Sequence, residues 1–178
     1  MNVPNLLTIL RILSIPVFVI CLLYGRPFIA FLVFVVAGIT DGLDGLIARV
    51  YRQRTPTGEY LDPVADKLML TSAFIVLAVM GMIPGWLTVI VIARDVIIVL
   101  GILVLLLTSH RVAIKPIFIS KTATCFQIAT IAWALLAPYS PFLKSVLPYI
   151  IWVTAVLTCI TGLQYIYIGT QYLNEQGG

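Results

Sequence analysis

The stretch DGLDGLIARVYRQRTPTGEYLDPVADK, residues 41–67, decides how the chain must be read. Of seven acidic side chains in 178 residues, five fall here: Asp41, Asp44, Glu59, Asp62 and Asp66. Only Asp95 and Glu175 lie elsewhere. The stretch is flanked by the apolar runs FIAFLVFVVAGIT (28–40) and LMLTSAFIVLAVM (68–80). Carboxylates concentrated between segments of this kind raise a question of solvent before any question of chemistry.

Composition answers it. The chain is 61% hydrophobic and 10% charged, with mean hydropathy +1.11. Soluble domains carry about a quarter charged residues, so the expected surroundings are lipid. Six segments are apolar over the roughly 20 residues a span needs: 5–24, 28–48, 64–83, 85–107, 120–138 and 146–170. Pro27, Pro56, Gly58, Pro84, Gly85, Pro116, Pro138 and Pro141 punctuate them. The expectation is an all-α integral membrane protein of six transmembrane helices, one domain over residues 1–178. The opening run has no basic segment ahead of it and reads as the first span, not as a signal peptide. Cys21, Cys125 and Cys159 lie within apolar runs without metal-like spacing and read as small buried hydrophobes.

The loops orient the spans. Arg49, Arg52 and Arg54 lie between the second and third, and Arg111 and Lys115 between the fourth and fifth. The opposite loops carry only Arg26 and Lys144. Lys and Arg favour the cytoplasmic side, so both termini and the acidic stretch are expected there, in a multi-pass protein of a bacterial inner membrane. The net charge of +4 is scattered at span edges with no basic stripe or nucleic-acid motif, which excludes nucleic acid as a partner and favours anionic lipid and phosphate-bearing substrates.

Asp41 and Asp44 are three apart and Asp62 and Asp66 four apart, so each pair shares one helix face. Two antiparallel spans joined by a short link allow the pairs to meet. Four carboxylates in a site of low dielectric require neutralisation. Lys67 and Arg49 offset part of the charge, and divalent cations with a preference for hard oxygen ligands supply the rest. Two such ions suit phosphoryl chemistry. Gly42, Gly45 and Gly58 let a nucleotide or pyrophosphate approach the backbone, although small residues also serve close helix packing. A transporter or channel with carboxylates on an ion path is the rival class. Such a path calls for polar residues at mid-membrane on several spans.

The spacing can be written out: Asp41, two residues, Asp44-Gly45, two residues, Ala48-Arg49, eight residues, Gly58, three residues, Asp62, three residues, Asp66. At every position this resembles the signature of the CDP-alcohol phosphatidyltransferase family. The opening NVPNLLTILRI, with Asn5, Thr8 and Arg11, is similar to that of its anionic-phospholipid branch. The resemblance implies transfer of the phosphatidyl group of CDP-diacylglycerol to an alcohol, with release of CMP. It implies two Mg²⁺ or Mn²⁺ ions on Asp41, Asp44, Asp62 and Asp66, with Asp66 also the base for the acceptor hydroxyl. It implies CDP contacts from Asn5, Thr8, Gly45, Ala48, Arg49 and Gly58, and a homodimer. Two acceptors fit the branch. Glycerol 3-phosphate goes with two arginines eight apart on the fourth span, but here Arg94 is followed at that distance by Ile102. The segment Arg94-Asp95-Val96, followed by KPIFISK (115–121), looks more like the cardiolipin-forming type, whose acceptor is phosphatidylglycerol. Arg94, Arg111, Lys115 and Lys121 are the candidate acceptor cations. Arg94 and Asp95, adjacent on a helix, are expected to take separate partners.

Overall fold

The computed structural model describes residues 3–50, 56–108 and 118–175, and side chains within 9–40, 64–101 and 119–171. These residues form six long helices: α1 (Val3–Leu23), α2 (Pro27–Val50), α3 (Pro56–Val79), α4 (Gly85–Thr108), α5 (Phe118–Leu136) and α6 (Pro141–Glu175). One 3-10 turn, Ala137–Tyr139, separates α5 from α6, and no strand occurs among the described residues. The all-helical expectation holds.

Local chemistry sets the boundaries. α1 and α3 both end in a left-handed glycine, Gly25 at φ 67° and Gly81 at φ 69°. In each turn the glycine N–H and the next N–H close back on the helix: Gly25 to Leu22 O and Arg26 to Cys21 O, Gly81 to Ala78 O and Met82 to Leu77 O. This is the glycine-terminated helix end, in which otherwise orphaned carbonyls find donors. Pro27, Pro56 and Pro141 open α2, α3 and α6, where a missing N–H costs nothing. α3 starts eight residues before the expected span, so Asp62 and Asp66 lie inside a helix, not at its entry. α6 likewise starts at Pro141 and runs through Pro148.

The helices pack α1 on α2 and α3, α4 on α6, α5 on α6, and α5 more lightly on α2 and α3. α1 lies against both α2 and α3, and a cavity is walled by α1, α2, α3 and α5. The segment in which α2 and α3 were expected to bring their aspartates together, 41–63, lies outside the residues whose side chains are described. The core joins Phe18 and Leu22 of α1, Phe34 of α2, Phe74 and Leu77 of α3, and Leu135 of α5. Outward positions are also apolar, including Leu13, Val36, Val79, Val89 and Leu163. Two described segments are long and apolar enough to cross a membrane, Ile119–Tyr139 and Pro141–Gln171. Ile9–Leu23 and Pro27–Thr40 are shorter apolar stretches.

The cysteines are free, as expected, but Cys125 and Cys159 are exposed and Cys21 only partly buried. The expectation of burial fails because the outer helix faces are themselves apolar, and a small hydrophobe suits them equally. Trp86 of α4 and Trp152 of α6 pair with ring centroids 5.3 Å apart.

Polar contacts are concentrated between α5 and α6. Thr130 and Thr154 share a hydroxyl–hydroxyl bond of 2.7 Å, and Gln127 Nε2 donates to Thr158 Oγ1 at 3.3 Å. All four are buried, and such contacts join helices whose apolar faces gain little from leaving lipid. Thr130→Val and Thr154→Val are each expected to destabilise the fold by about 1 kcal/mol. The double variant should fall short of additivity by about 0.6 kcal/mol. Unfolding in detergent of the four proteins of the cycle measures it, and strict additivity would mean the pair does not hold α5 to α6.

Candidate functional site

Asp66 projects from the third turn of α3 with its side chain 44% exposed. Arg11 of α1, 2% exposed, donates from Nη1 to Asp66 Oδ1 at 2.9 Å. A guanidinium this deeply buried needs an anion or several acceptors, and it crosses from α1 to α3 to reach one. Serine follows three residues on: Ser14 Oγ donates to Arg11 O at 2.6 Å.

Arg11 and Asp66 stand in the wall of an apolar cavity of about 420 Å³. Its walls come from α1, α2, α3 and α5, with Phe34, Gly38, Met69 and Ile128 among them. A second hollow of about 350 Å³ lies on the α1–α2 side of Arg11, lined also by Ser14, Val33 and Thr40. The site is therefore amphipathic, an ion pair set against space lined by hydrocarbon.

A second charged group joins α3, α4 and α5. Arg94 Nη1 donates to Asp95 Oδ1 at 2.7 Å, and Nη2 donates to Ser120 Oγ at 2.6 Å. Lys67 Nζ forms an ion pair with the same Asp95 Oδ1. Arg94 is 5% exposed, Asp95 14% and Lys67 45%. Gly162 of α6 brings its backbone against the Arg94 stem, so that a Cβ there would sit 3.7 Å from Arg94 Cγ.

Two expectations are corrected here. Arg94 and Asp95 were expected to take separate partners only, yet they also bond to each other. The long, flexible arginine stem lets the guanidinium reach its neighbour's carboxylate, which simple helical spacing does not anticipate. Each also keeps a partner on another helix, Ser120 for Arg94 and Lys67 for Asp95. Lys67 was assigned to offset the aspartate quartet, but it turns to Asp95, and Arg11 pairs with Asp66 instead.

Of the expected metal ligands, Asp66 has a described side chain. Asp41, Asp44 and Asp62 lie on α2 and α3 but outside the residues whose side chains are described. The same holds for Asn5, Thr8, Gly45, Ala48, Arg49 and Gly58, while Arg111 and Lys115 lie outside the described residues altogether. Among the described residues no three His, Cys, Asp or Glu side chains gather. Lys121 is exposed beside Ser120 on α5. Ser120 was not among the expected site residues, and Arg11 was named only as part of the opening motif. Arg11 carried a readable signal, since an arginine inside an apolar run marks function by default.

Comparison with known proteins concerns nearly the whole chain. Residues 1–160 match the family described as CDP-alcohol phosphatidyltransferase. The chain is 34% identical over 183 residues to the "Probable phosphatidylglycerophosphate synthase" of Mycobacterium tuberculosis, covering 99% of this chain and 84% of that protein. It is 35% identical over 173 residues to the "CDP-diacylglycerol--glycerol-3-phosphate 3-phosphatidyltransferase" of Haemophilus influenzae, covering 94% and 92%. To the "Cardiolipin synthase (CMP-forming)" of Homo sapiens it is 34% identical over 185 residues, covering 94% of this chain and 62% of that longer protein. The signature from Asp41 to Asp66, the helical fold and these matches agree, and the chain belongs to the CDP-alcohol phosphatidyltransferase family.

Proposed function

We propose that the chain forms cardiolipin, moving the phosphatidyl group of CDP-diacylglycerol to a hydroxyl of phosphatidylglycerol and releasing CMP. The observation that carries the choice of acceptor is the fourth span, where Arg94 is followed eight positions on by Ile102 in place of a second cation. Arg94 is itself paired with Asp95, which Lys67 also meets. Phosphatidylglycerol brings one phosphodiester charge. Glycerol 3-phosphate brings two above its second pKa of about 6. Glycerol 3-phosphate remains the second reading, favoured by the names of the Mycobacterium tuberculosis and Haemophilus influenzae relatives.

In this reading Asp41, Asp44, Asp62 and Asp66 hold two Mg²⁺ or Mn²⁺ ions. The donor set fits, being all carboxylate oxygen, and the helical continuity of α2 through Asp44 and of α3 through Asp62 and Asp66 supports it. Such ions, when bound, supply charge stabilisation to phosphoryl transfer. The chain's own residues do the rest. Arg11 holds Asp66 at the cavity mouth, and Asp66 takes the proton of the acceptor hydroxyl. The hydroxyl oxygen forms the new P–O bond, the P–O bond of the pyrophosphate breaks, and CMP leaves. Asn5, Thr8, Gly45, Ala48, Arg49 and Gly58 surround the CDP moiety. The apolar cavity beside Arg11 suits a lipid tail, and Arg94 with Lys121, Arg111 and Lys115 receives the acceptor phosphate.

The remaining features belong to the same reading: one domain of six spans, both termini and the site on the cytoplasmic side of a bacterial inner membrane, and a homodimer. The loop asymmetry of Lys and Arg supports the orientation, and the exposed apolar faces of several helices are compatible with a subunit contact.

An acceptor competition tests the proposal. Purified protein receives CDP-diacylglycerol, Mg²⁺ or Mn²⁺, and equal glycerol 3-phosphate and phosphatidylglycerol, and the lipid products are identified by mass. Cardiolipin is the expected product. Phosphatidylglycerophosphate in its place would overturn the acceptor assignment, and no CMP release would overturn the transfer itself.

A further inference from the structure

We infer that the two hollows flanking Arg11 seat the two acyl chains of one CDP-diacylglycerol, and that Gly38, by lacking a side chain, keeps the first of them open. The inference deepens the transfer reading above and rests on it.

The hollows of about 420 and 350 Å³ share a wall. Arg11 of α1 and Ala37 of α2 line both, and both residues are buried. Each hollow has the size of an ordinary ligand site, ~300–1,000 Å³. The first extends to Gly38, Ile39 and Ile128, the second to Leu10, Ser14 and Val36. Ile39, Ile128, Leu10 and Val36 are exposed, so each hollow reaches the apolar outer face of the helices. Polar groups gather at the shared wall, where Arg11 Nη1 donates to Asp66 Oδ1 at 2.9 Å. A diacyl lipid has the same pattern, hydrocarbon along two chains and polar where they join. The donor fits better than phosphatidylglycerol. Its two-chained glycerol bears the phosphorus that is attacked, whereas the reacting hydroxyl of phosphatidylglycerol is a whole headgroup away from its chains. Asp66, one of the carboxylates assigned above to the reacting end, lines the first hollow. No atom lies within 4 Å of the place a Cβ on Gly38 would take, so a side chain there meets open space at the wall of that hollow. Ser14, partly buried, stands in the wall of the second.

Donors with two chains and with one distinguish the hollows. The full chain in detergent, with Mg²⁺ or Mn²⁺ and whichever of phosphatidylglycerol and glycerol 3-phosphate the wild type uses, receives dioleoyl CDP-diacylglycerol or its monooleoyl counterpart, and CMP release is followed. The wild type is expected to prefer the two-chained donor. Gly38→Leu fills the first hollow, and the ratio of kcat/KM for the two-chained donor to that for the one-chained donor is expected to fall about tenfold. The one-chained donor keeps the second hollow and should change little. Ser14→Leu, which fills the second hollow, should lower the same ratio, and the double variant should lose activity with both donors. Gly101→Leu, a glycine replacement on α4 away from both hollows, should leave the ratio at its wild-type value. A Gly38 needed only for packing, or for the course of α2 toward Asp41, would depress both donors by the same factor, and an unchanged ratio overturns the inference. So does a donor ratio that stays constant while the KM for phosphatidylglycerol rises, since the hollows would then hold the acceptor. Should Gly38→Leu not accumulate as folded protein, Ser14→Leu decides alone by the same ratio. A wild type that releases no CMP from either donor sinks the transfer reading and this inference with it. An active wild type whose variants keep its ratio sinks this inference alone.

Discussion

Asp66→Asn is expected to fold and to lose turnover, with kcat lower by about 100-fold to 10,000-fold, the range a positioned general base contributes. The asparagine side-chain oxygen still accepts from Arg11 Nη1, which in the wild type donates to Asp66 Oδ1 at 2.9 Å. The contact between α1 and α3 therefore survives while the proton acceptor is lost. Asp66→Ala separates the two roles. It takes one acceptor from a guanidinium that is 2% exposed, and so should also lower stability. Asp66 is itself 44% exposed, which screens the pair. The loss should thus be near the ~1–3 kcal/mol of a buried donor deprived of its acceptor, not the ~3–5 kcal/mol of a fully buried ion pair. CMP release measures the first effect and unfolding in detergent the second. Near-wild-type kcat in Asp66→Asn would remove Asp66 from the role of base.

Much of this arrangement was legible in the sequence because the relevant signals are local. The spacing from Asp41 to Asp66 depends on helical periodicity, and α2 and α3 are helical through those positions. Pro27, Pro84 and Pro141 marked helix ends because their backbone preferences act within a turn. What escaped was set by neighbours distant in sequence. Arg11 reaches Asp66 across 55 positions, and nothing within the first apolar run indicates that α1 will lie between α2 and α3. Arg94 donates to Ser120 of α5, 26 positions along the chain. Lys67, one residue from Asp66, joins α4 because successive helical positions point about 100° apart.

Asp44→Ala and Asp62→Ala are expected to abolish CMP release and, independently of activity, to remove the stabilisation that divalent cations give the fold. The placement of the carboxylates supplies the reason. α2 carries Asp41 and Asp44 in its last turns, and α3 carries Asp62 and Asp66. In the proposed site these carboxylates would meet and repel, and ions bound by both helices would replace that repulsion with a cross-link. A ligand that binds only the folded state at 100 times its Kd stabilises it by about 2.7 kcal/mol. Mn²⁺ should therefore raise the unfolding midpoint of the wild type in detergent, and the rise should vanish when either helix loses its aspartate. Asp66→Asn, which keeps three of the four carboxylates, should retain part of it. Equal stabilisation of Asp44→Ala and wild type by Mn²⁺ would place the cation elsewhere, and the carboxylates of α2 and α3 would then need another source of neutralisation.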